Sequence, residues 1–374
     1  MNNDLSSYFE DPEFKEALEK YEGMVKNHTP AYFDADELTD IAEYYASKGR
    51  QIEAEAAIDF ALQLHPNDTD ALIFRARSLA MKGRLDEAYM VMDLIEDRSD
   101  REVRFLKADL LMEEKRMEEA DHVFEELAAY EEGKLETLID IILAYIDANQ
   151  EALAKKWIKH VGETYDLASL SQKNQKFRDL LCDFYITFNN PEAAIPLLQA
   201  TLDCYPYSIN HWNSLGKCYL STNDYEEAHE AIDFALAIDD SNAEALTLKA
   251  FCYQQSGELQ KSCDYYLRLA EQQENKTRAY LALAKTYFEM QDYTSSIYYI
   301  EALLDNKDAL SKYELSELYG DIALCHAALK HIGVGQASIR RSLELNENDP
   351  DTLIVAGRFF LMEAKACNDE TAKA

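Results

Sequence analysis

Apolar positions recur along this chain at helical spacing. Between residues 209 and 242, Trp212, Leu215, Gly216 and Tyr219 stand at i, i+3, i+4 and i+7, one face of a helix. Ser221, Thr222, Asn223 and Asp224 then break the pattern with turn formers able to cap the next helix. Ala228, Ile232 and Ala235 mark the face of that second helix. The stretch predicts two antiparallel helices that approach closely where Gly216 and Ala228 keep side chains small. The pattern then repeats: Trp212, Leu246 and Tyr280 are 34 residues apart, as are Gly216, Ala250 and Ala284, and Tyr219, Tyr253 and Tyr287. A fixed period of this length means stacked copies of one small unit, each leaning on its neighbours.

On these residues the chain resembles the tetratricopeptide repeat family, whose pattern is an aromatic, Leu-Gly, Tyr, Ala, an aromatic or aliphatic residue, Ala and Pro. Asp240 stands in the Pro position of the copy just described. Further copies start at Ala35, Thr69, Arg101, Leu135, Gln175, Ala243, Thr277 and Ser316, so nine helix pairs are expected. The copy from Ser316 has Gly335 where Ala is usual. Pro12 to about Val25 reads as a lone second helix with Ala17, Tyr21 and Met24 in place, and Pro350 starts a first helix without a partner. The resemblance implies an all-α fold, a right-handed superhelical α-solenoid of stacked helix-turn-helix repeats. The expected divisions are residues 1–34 as tail and capping helix, 35–168 as units one to four, 169–349 as units five to nine, and 350–374 as C-terminal capping helix and tail. Register slips place a short unit between Thr69 and Arg101, and extra loop or a bend near 162–174 and 305–315.

Charge limits the partners. Asp and Glu number 71 against 37 Lys and Arg, a formal net charge of -34. Such a chain repels nucleic acid phosphates and anionic membrane surfaces, and leaves a basic protein as the partner that charge would favour. The N-terminal residues lack the basic and apolar regions of a signal peptide, and no apolar run is long enough to span a bilayer. Seven cysteines without a CxxC pair read as reduced thiols, and the expected compartment is cytoplasmic. Nucleotide-binding, nucleophile-elbow and zinc-protease motifs are absent, so neither catalysis nor a cofactor or metal is expected. His326 and His331 are five apart, a spacing that does not set both on one helical face.

Three surfaces are candidates for binding. In the resembled family the second, fifth, ninth and twelfth residues of each unit line a concave groove. Here that stripe includes Phe105, Met112, Ile139, Leu143 and Ile146, apolar residues surplus to the packing face; they either hold a partner helix or peptide, or pack on one another. Farther along, Asn210, Asn213, Lys217, Thr247, Gln254, Arg278 and Lys285 form a donor-rich stretch suited to an anionic group. It falls short of the carboxylate clamp of chaperone-adaptor members: Asn213 then Lys217 reverses the clamp order, and Leu248 and Ala282 stand where the clamp has Asn and Arg. The unpaired last helix is expected to pack through Leu353, Ala356, Gly357 and Phe360. That leaves Val355, Phe359 and Met362 bare for a partner or for self-association into a homo-oligomer. The function these features favour is a non-catalytic scaffold or adaptor for another protein or peptide. The alternative is a regulatory module that senses a small peptide or metabolite, with one deep concave pocket in place of a long open groove.

Overall fold

The computed structural model describes Phe9, residues 11–305 and residues 310–373, with side chains as far as Ala366. Among these it is all-α: 21 α-helices, one short 3-10 turn and no strand. The chain divides into two compact units, Met1–Asp166 and Leu167–Ala374. In the first, α1 (Pro12–Asn27) precedes four hairpins: α2 (Ala35–Ser47) with α3 (Gln51–Leu64), α4 (Thr69–Met81) with α5 (Leu85–Met92), α6 (Arg101–Glu113) with α7 (Met117–Tyr130), and α8 (Leu135–Asp147) with α9 (Glu151–Thr164). In the second, a short α10 (Leu167–Lys173) precedes α11 (Gln175–Thr187) with α12 (Pro191–Cys204), α13 (Ile209–Thr222) with α14 (Tyr225–Ile238), and α15 (Ala243–Gln255) with α16 (Leu259–Ala270). Then come α17 (Lys276–Glu289) with α18 (Tyr293–Leu304), α19 (Lys312–Ala328) with α20 (Ile332–Leu345), and a single last helix α21 (Pro350–Lys373). The nine expected pairs are all present as hairpins in this helix order.

Each hairpin closes in the same way. The fifteenth position of every repeat adopts a left-handed backbone, with φ between 53° and 78°: Gly49, Gly83, Lys115, Asn149, Asn189, Asn223, Gly257, Gln291 and Lys330. The next N–H donates back to the carbonyl of position eleven, as from Arg50 to Tyr45 (2.8 Å), Asp224 to Tyr219 (2.9 Å) and His331 to His326 (2.8 Å). This bond satisfies one of the carbonyls that a helix end leaves orphaned and reverses the chain within three residues. Glycine adopts this backbone without strain and asparagine with little; Lys115, Gln291 and Lys330 hold it because the packed hairpin on either side fixes them.

The turn brings position twenty of the second helix against position eight of the first. Position twenty is small and buried throughout: Ala54, Ala88, Ala120, Ala154, Ala194, Ala228, Ser262, Ser296 and Gly335. Ser296 uses the proximity to donate to the Ala284 carbonyl at 2.8 Å. A Cβ on Gly216 would stand 2.8 Å from Ile232 Cγ1, so the expected close approach is real. Larger side chains from adjoining hairpins fill the remaining core, among them Leu38, Phe124, Tyr145, Phe177 and Ile322.

Irregular repeats have local causes. Helix α5 ends at Met92, and Ile95, already outside the helix, still buries its side chain; this shortens the repeat between Thr69 and Arg101. Part of the expected loop at 162–174 is the short helix α10. Arg178, 4% exposed, ties that helix down by donating from Nη1 to the carbonyls of Ser171 (3.1 Å) and Gln172 (3.2 Å) and from Nε to Thr201 Oγ1 (2.7 Å). The expected long connection at 305–315 falls partly on residues 306–309, outside the described residues. Helix α19 starts four residues before the repeat register does, because Ser311 and Glu314 form a capping box.

The last helix is rotated from the expected orientation. Thr352, Val355, Ala356, Phe359 and Met362 face inward, whereas Leu353, Gly357 and Phe360 face out. Val355, Phe359 and Met362 are therefore not the bare surface that the sequence pattern suggested. Two glycines make the difference. A Cβ on Gly335 would lie 2.5 Å from the Phe359 ring and 3.1 Å from the Ala323 carbonyl oxygen, and one on Gly320 would lie 2.9 Å from Val355 Cγ1. A buried hydroxyl cluster fixes the same rotation: Ser316 Oγ sits 3.1 Å from both Ser342 Oγ and Thr352 Oγ1. Replacing Gly335 by Ala should overpack this contact and destabilise the C-terminal unit by about 1–3 kcal/mol; thermal melting followed by circular dichroism should show it as a lower Tm. An unchanged Tm would mean that Phe359 moves aside freely.

Candidate functional site

The inner stripe of the N-terminal unit is built from positions two, five, nine and twelve of α2, α4, α6 and α8. Packing consumes most of its apolar members. Phe105, Met112, Ile139 and Ile146 are only 5–8% exposed, so the expectation that they are surplus to folding is corrected. Phe105 lies 5.3 Å from the Phe124 ring, and the Arg101 guanidinium stands 5.1 Å from its face. Leu143 alone of the five stays half-exposed.

What the stripe offers instead is carboxylate. Position two reads Asp36, Asp70, Glu102 and Glu136, and position nine adds Glu43 and Asp109. Across the repeats these groups feel one another. Burial holds the Asp70 carboxyl above its usual range, and Asp68, Asp36, Asp100 and Glu102 push it further. Asp109 is pushed up to about 6, first by burial and then by Glu102 and Asp147, against the lowering influence of Arg77. Compensation is partial. Arg77 pairs with Glu102 at 3.5 Å and with Asp109 at 3.6 Å, while Arg101 pairs with Glu102 at 3.2 Å and also with Asp140. Reading each repeat alone misses this row; it emerges when one position is followed from copy to copy.

In the C-terminal unit the donor-rich stretch is largely answered from within. Asn213 is 1% exposed and donates from Nδ2 to Asn242 Oδ1 (3.1 Å) and Glu244 Oε2 (3.0 Å), and Lys217 pairs with Glu244. Gln254 donates to both carboxylate oxygens of Glu289, at 2.8 and 2.9 Å. Thr247 donates to the Ala243 carbonyl of its own helix. Asn210, Arg278 and Lys285 are exposed. Lys285 faces Asp321, whose carboxyl burial pushes up to about 6 and Lys285 pulls back. Of the residues expected to gather an anion, Asn213, Lys217 and Gln254 are thus taken up by internal carboxylates.

The sequence profile of the tetratricopeptide repeat matches residues 39–89 and 213–277, and so falls in both compact units. Over those residues the chain carries tetratricopeptide repeats. A curated relative, the formate-dependent nitrite reductase complex subunit NrfG of Escherichia coli O157:H7, is 26% identical over 191 residues, spanning 49% of this chain and 89% of the relative. Among solved structures, the C-terminal part of a tetratricopeptide repeat protein from Cytophaga hutchinsonii matches at 17% identity with a TM-score of 0.50, covering 67% of this chain and 98% of that one. PilW, a type IV pilus biogenesis factor, matches at 15% identity and a TM-score of 0.48, covering 59% of this chain and 97% of that one. At such identities the likeness is one of fold.

Five of the six described thiols belong to the core. Cys182, Cys218, Cys252, Cys263 and Cys325 are buried and free, and Cys204 is free and exposed. Burial pushes the Cys182 thiol up to about 12 and those of Cys218, Cys263 and Cys325 to about 11, which suppresses the reactive thiolate. The rings of His326 and His331 lie 5.9 Å apart, yet no group of three His, Cys, Asp or Glu gathers as a metal would need among the described residues. Nor is any helix among them long and apolar enough to cross a membrane.

The raised Asp109 carboxyl makes stability depend on pH. The unfolded chain binds fewer protons than the native one between about pH 4 and the native value of about 6, so stability falls as pH rises through that window. Asp109→Asn should remove this fall and raise Tm at pH 7 by about 2–4 °C while leaving it unchanged at pH 4. Calorimetric melts at the two pH values would test it; equal shifts at both would contradict a carboxyl held above its usual range.

Proposed function

We propose that this protein is a non-catalytic scaffold or adaptor that holds a segment of another protein along the inner helical faces, with a basic segment as the occupant of the N-terminal unit. The supporting observation is the row of carboxylates at position two, Asp36, Asp70, Glu102 and Glu136, alongside half-buried Leu143, into which, among the described residues, only Arg77 and Arg101 are paired. Charges of one sign on a surface steer oppositely charged partners to it, and an apolar side chain among them gives the bound segment something to bury. The net charge of -34 makes nucleic acid and anionic membranes poor partners for the same reason. Absent catalytic motifs support the non-catalytic role, and unpaired cysteines favour a reducing, cytoplasmic setting.

Leu143→Glu should abolish capture of the partner in affinity pull-downs while lowering Tm only by a few °C, since the half-buried Leu143 side chain lies outside the fully buried core. A large fall in Tm would instead assign Leu143 to packing, and full capture by the variant would remove the inner face from the binding site.

The last helix is a second contact surface in this reading, through a face other than the one its sequence suggested. Leu353, Ile354, Phe360 and Leu361 are 48–66% exposed along one side of α21, enough contiguous apolar surface to support self-association into a homo-oligomer. Light scattering should show mass rising with concentration for the wild type and not for Leu361→Glu; a wild type that stays monomeric throughout would rule this association out.

A further inference from the structure

Two open cavities lie where neighbouring second helices part over the first helix between them, on the side away from the inner faces of the first helices. In the N-terminal unit a cavity of about 570 Å³ is lined by α5, α6 and α7 and carries its own cations: Arg116 bonds Glu119 at 2.7 Å, and Lys107 and His122 stand with it. The cavity of about 490 Å³ in the C-terminal unit, between α12 and α14 over α13, differs. Leu202, Leu215 and Ala231 floor it. Asp203 comes from α12, and Glu227 and Glu230 come from adjacent turns of α14. All three carboxylates are exposed, no ion pair engages them among the described residues, and no cation lines the cavity.

Aromatic rings line the same cavity. Phe234, 54% exposed, lies flat on Trp212 with ring centroids 4.5 Å apart and planes 17° from parallel. The Trp212 ring is held in place by its Nε1–H, which donates to the Pro206 carbonyl at 2.8 Å. Tyr219 is fixed by the Gln199 amide, which donates to its hydroxyl at 2.9 Å. Tyr205 and Tyr207, in the loop that leads into the cavity, are 46% and 82% exposed.

We propose that this cleft binds an arginine side chain carried by a segment of a partner protein. A cation complements three carboxylates that nothing else in the site neutralises. The planar guanidinium suits the cleft best, because it stacks on an aromatic face while its edge forks to carboxylates, which a compact ammonium does not do. The apolar floor accepts the three-carbon stem. The site lies on other residues than the inner stripe and in the other unit, so it stands whether or not the inner stripe holds a partner.

Trp212 reports on the cleft directly, since the only other tryptophan, Trp157, is 2% exposed and belongs to the other unit. Titrating the full chain with acetyl-Gly-Arg-Gly-amide should change tryptophan emission saturably. The same peptide with citrulline, which keeps the shape and loses the charge, should bind at least about tenfold more weakly, and the lysine peptide about threefold more weakly. Phe234→Ala and the double variant Glu227→Gln/Glu230→Gln should each weaken the arginine peptide about tenfold. Should Phe234→Ala lower Tm, the double variant, whose side chains are exposed and unpaired, still decides the matter. Leu143→Glu should leave the response intact, separating this site from the inner stripe. A linear, non-saturating response, equal binding of the citrulline peptide, or undiminished binding by the double variant would each overturn the proposal.

Discussion

Each hairpin turns on one hydrogen bond, from the N–H of position sixteen to the carbonyl of position eleven, across a residue with left-handed backbone. It recurs in all nine hairpins at 2.7–3.0 Å. Because the reversal always takes the same few residues, the second helix returns at a fixed height and meets the first at the same two positions. That constraint explains why position twenty is never larger than alanine or serine, and why a Cβ at Gly216 would strike Ile232. A looser turn would let the helices separate and would not select for small residues there. No pair buries enough apolar surface to stand alone, so the larger side chains reach into the next hairpin and make the stack cooperative.

Uniform hairpins also produce the surfaces that distinguish this chain. Because each repeat presents the same positions inward, a residue type that recurs every repeat becomes a row. Acidic residues at position two thus become a ladder of carboxylates; burial raises the Asp70 carboxyl among them, and its acidic neighbours push it further. The same regularity opens a cleft wherever neighbouring second helices part. What fills or lines that cleft then depends on a few local side chains. In one unit Arg116 and Lys107 supply positive charge; in the other, Phe234 stacks on Trp212 and leaves three carboxylates unanswered.

Much of the fold was legible in the sequence because the repeat has a short period and most of its contacts are between near neighbours. The spacing of Trp212, Leu215, Gly216 and Tyr219 was enough to place a helix, its partner and the close contact between them. Site residues were harder. Phe105, Ile139 and Ile146 occupy positions that point inward in the resembled family, but whether a side chain there is bare depends on how near the next helix lies. Asn213 and Lys217 looked like free donors until Glu244, one repeat later, was brought to them. The N-terminal cap of α19 was readable as Ser311 with Glu314, yet the register of the repeat pointed to a later start.

By itself the sequence determined the helices, the number of hairpins, the small residues at their contacts and the acidic character of the whole, since all of these follow from local periodicity and composition. Tertiary structure alone decided which face of the last helix is covered. The repeat register pointed to Leu353 and Phe360, but Val355 and Phe359 also share a helical face with apolar neighbours, and the register chose the wrong one. The choice came from space left by Gly320 and Gly335 on two other helices and from the hydroxyls of Ser316 and Ser342, none of which lies within the helix they orient. Rotation about a helix axis is fixed by what the neighbouring helices leave open, and that is a property of the assembled stack.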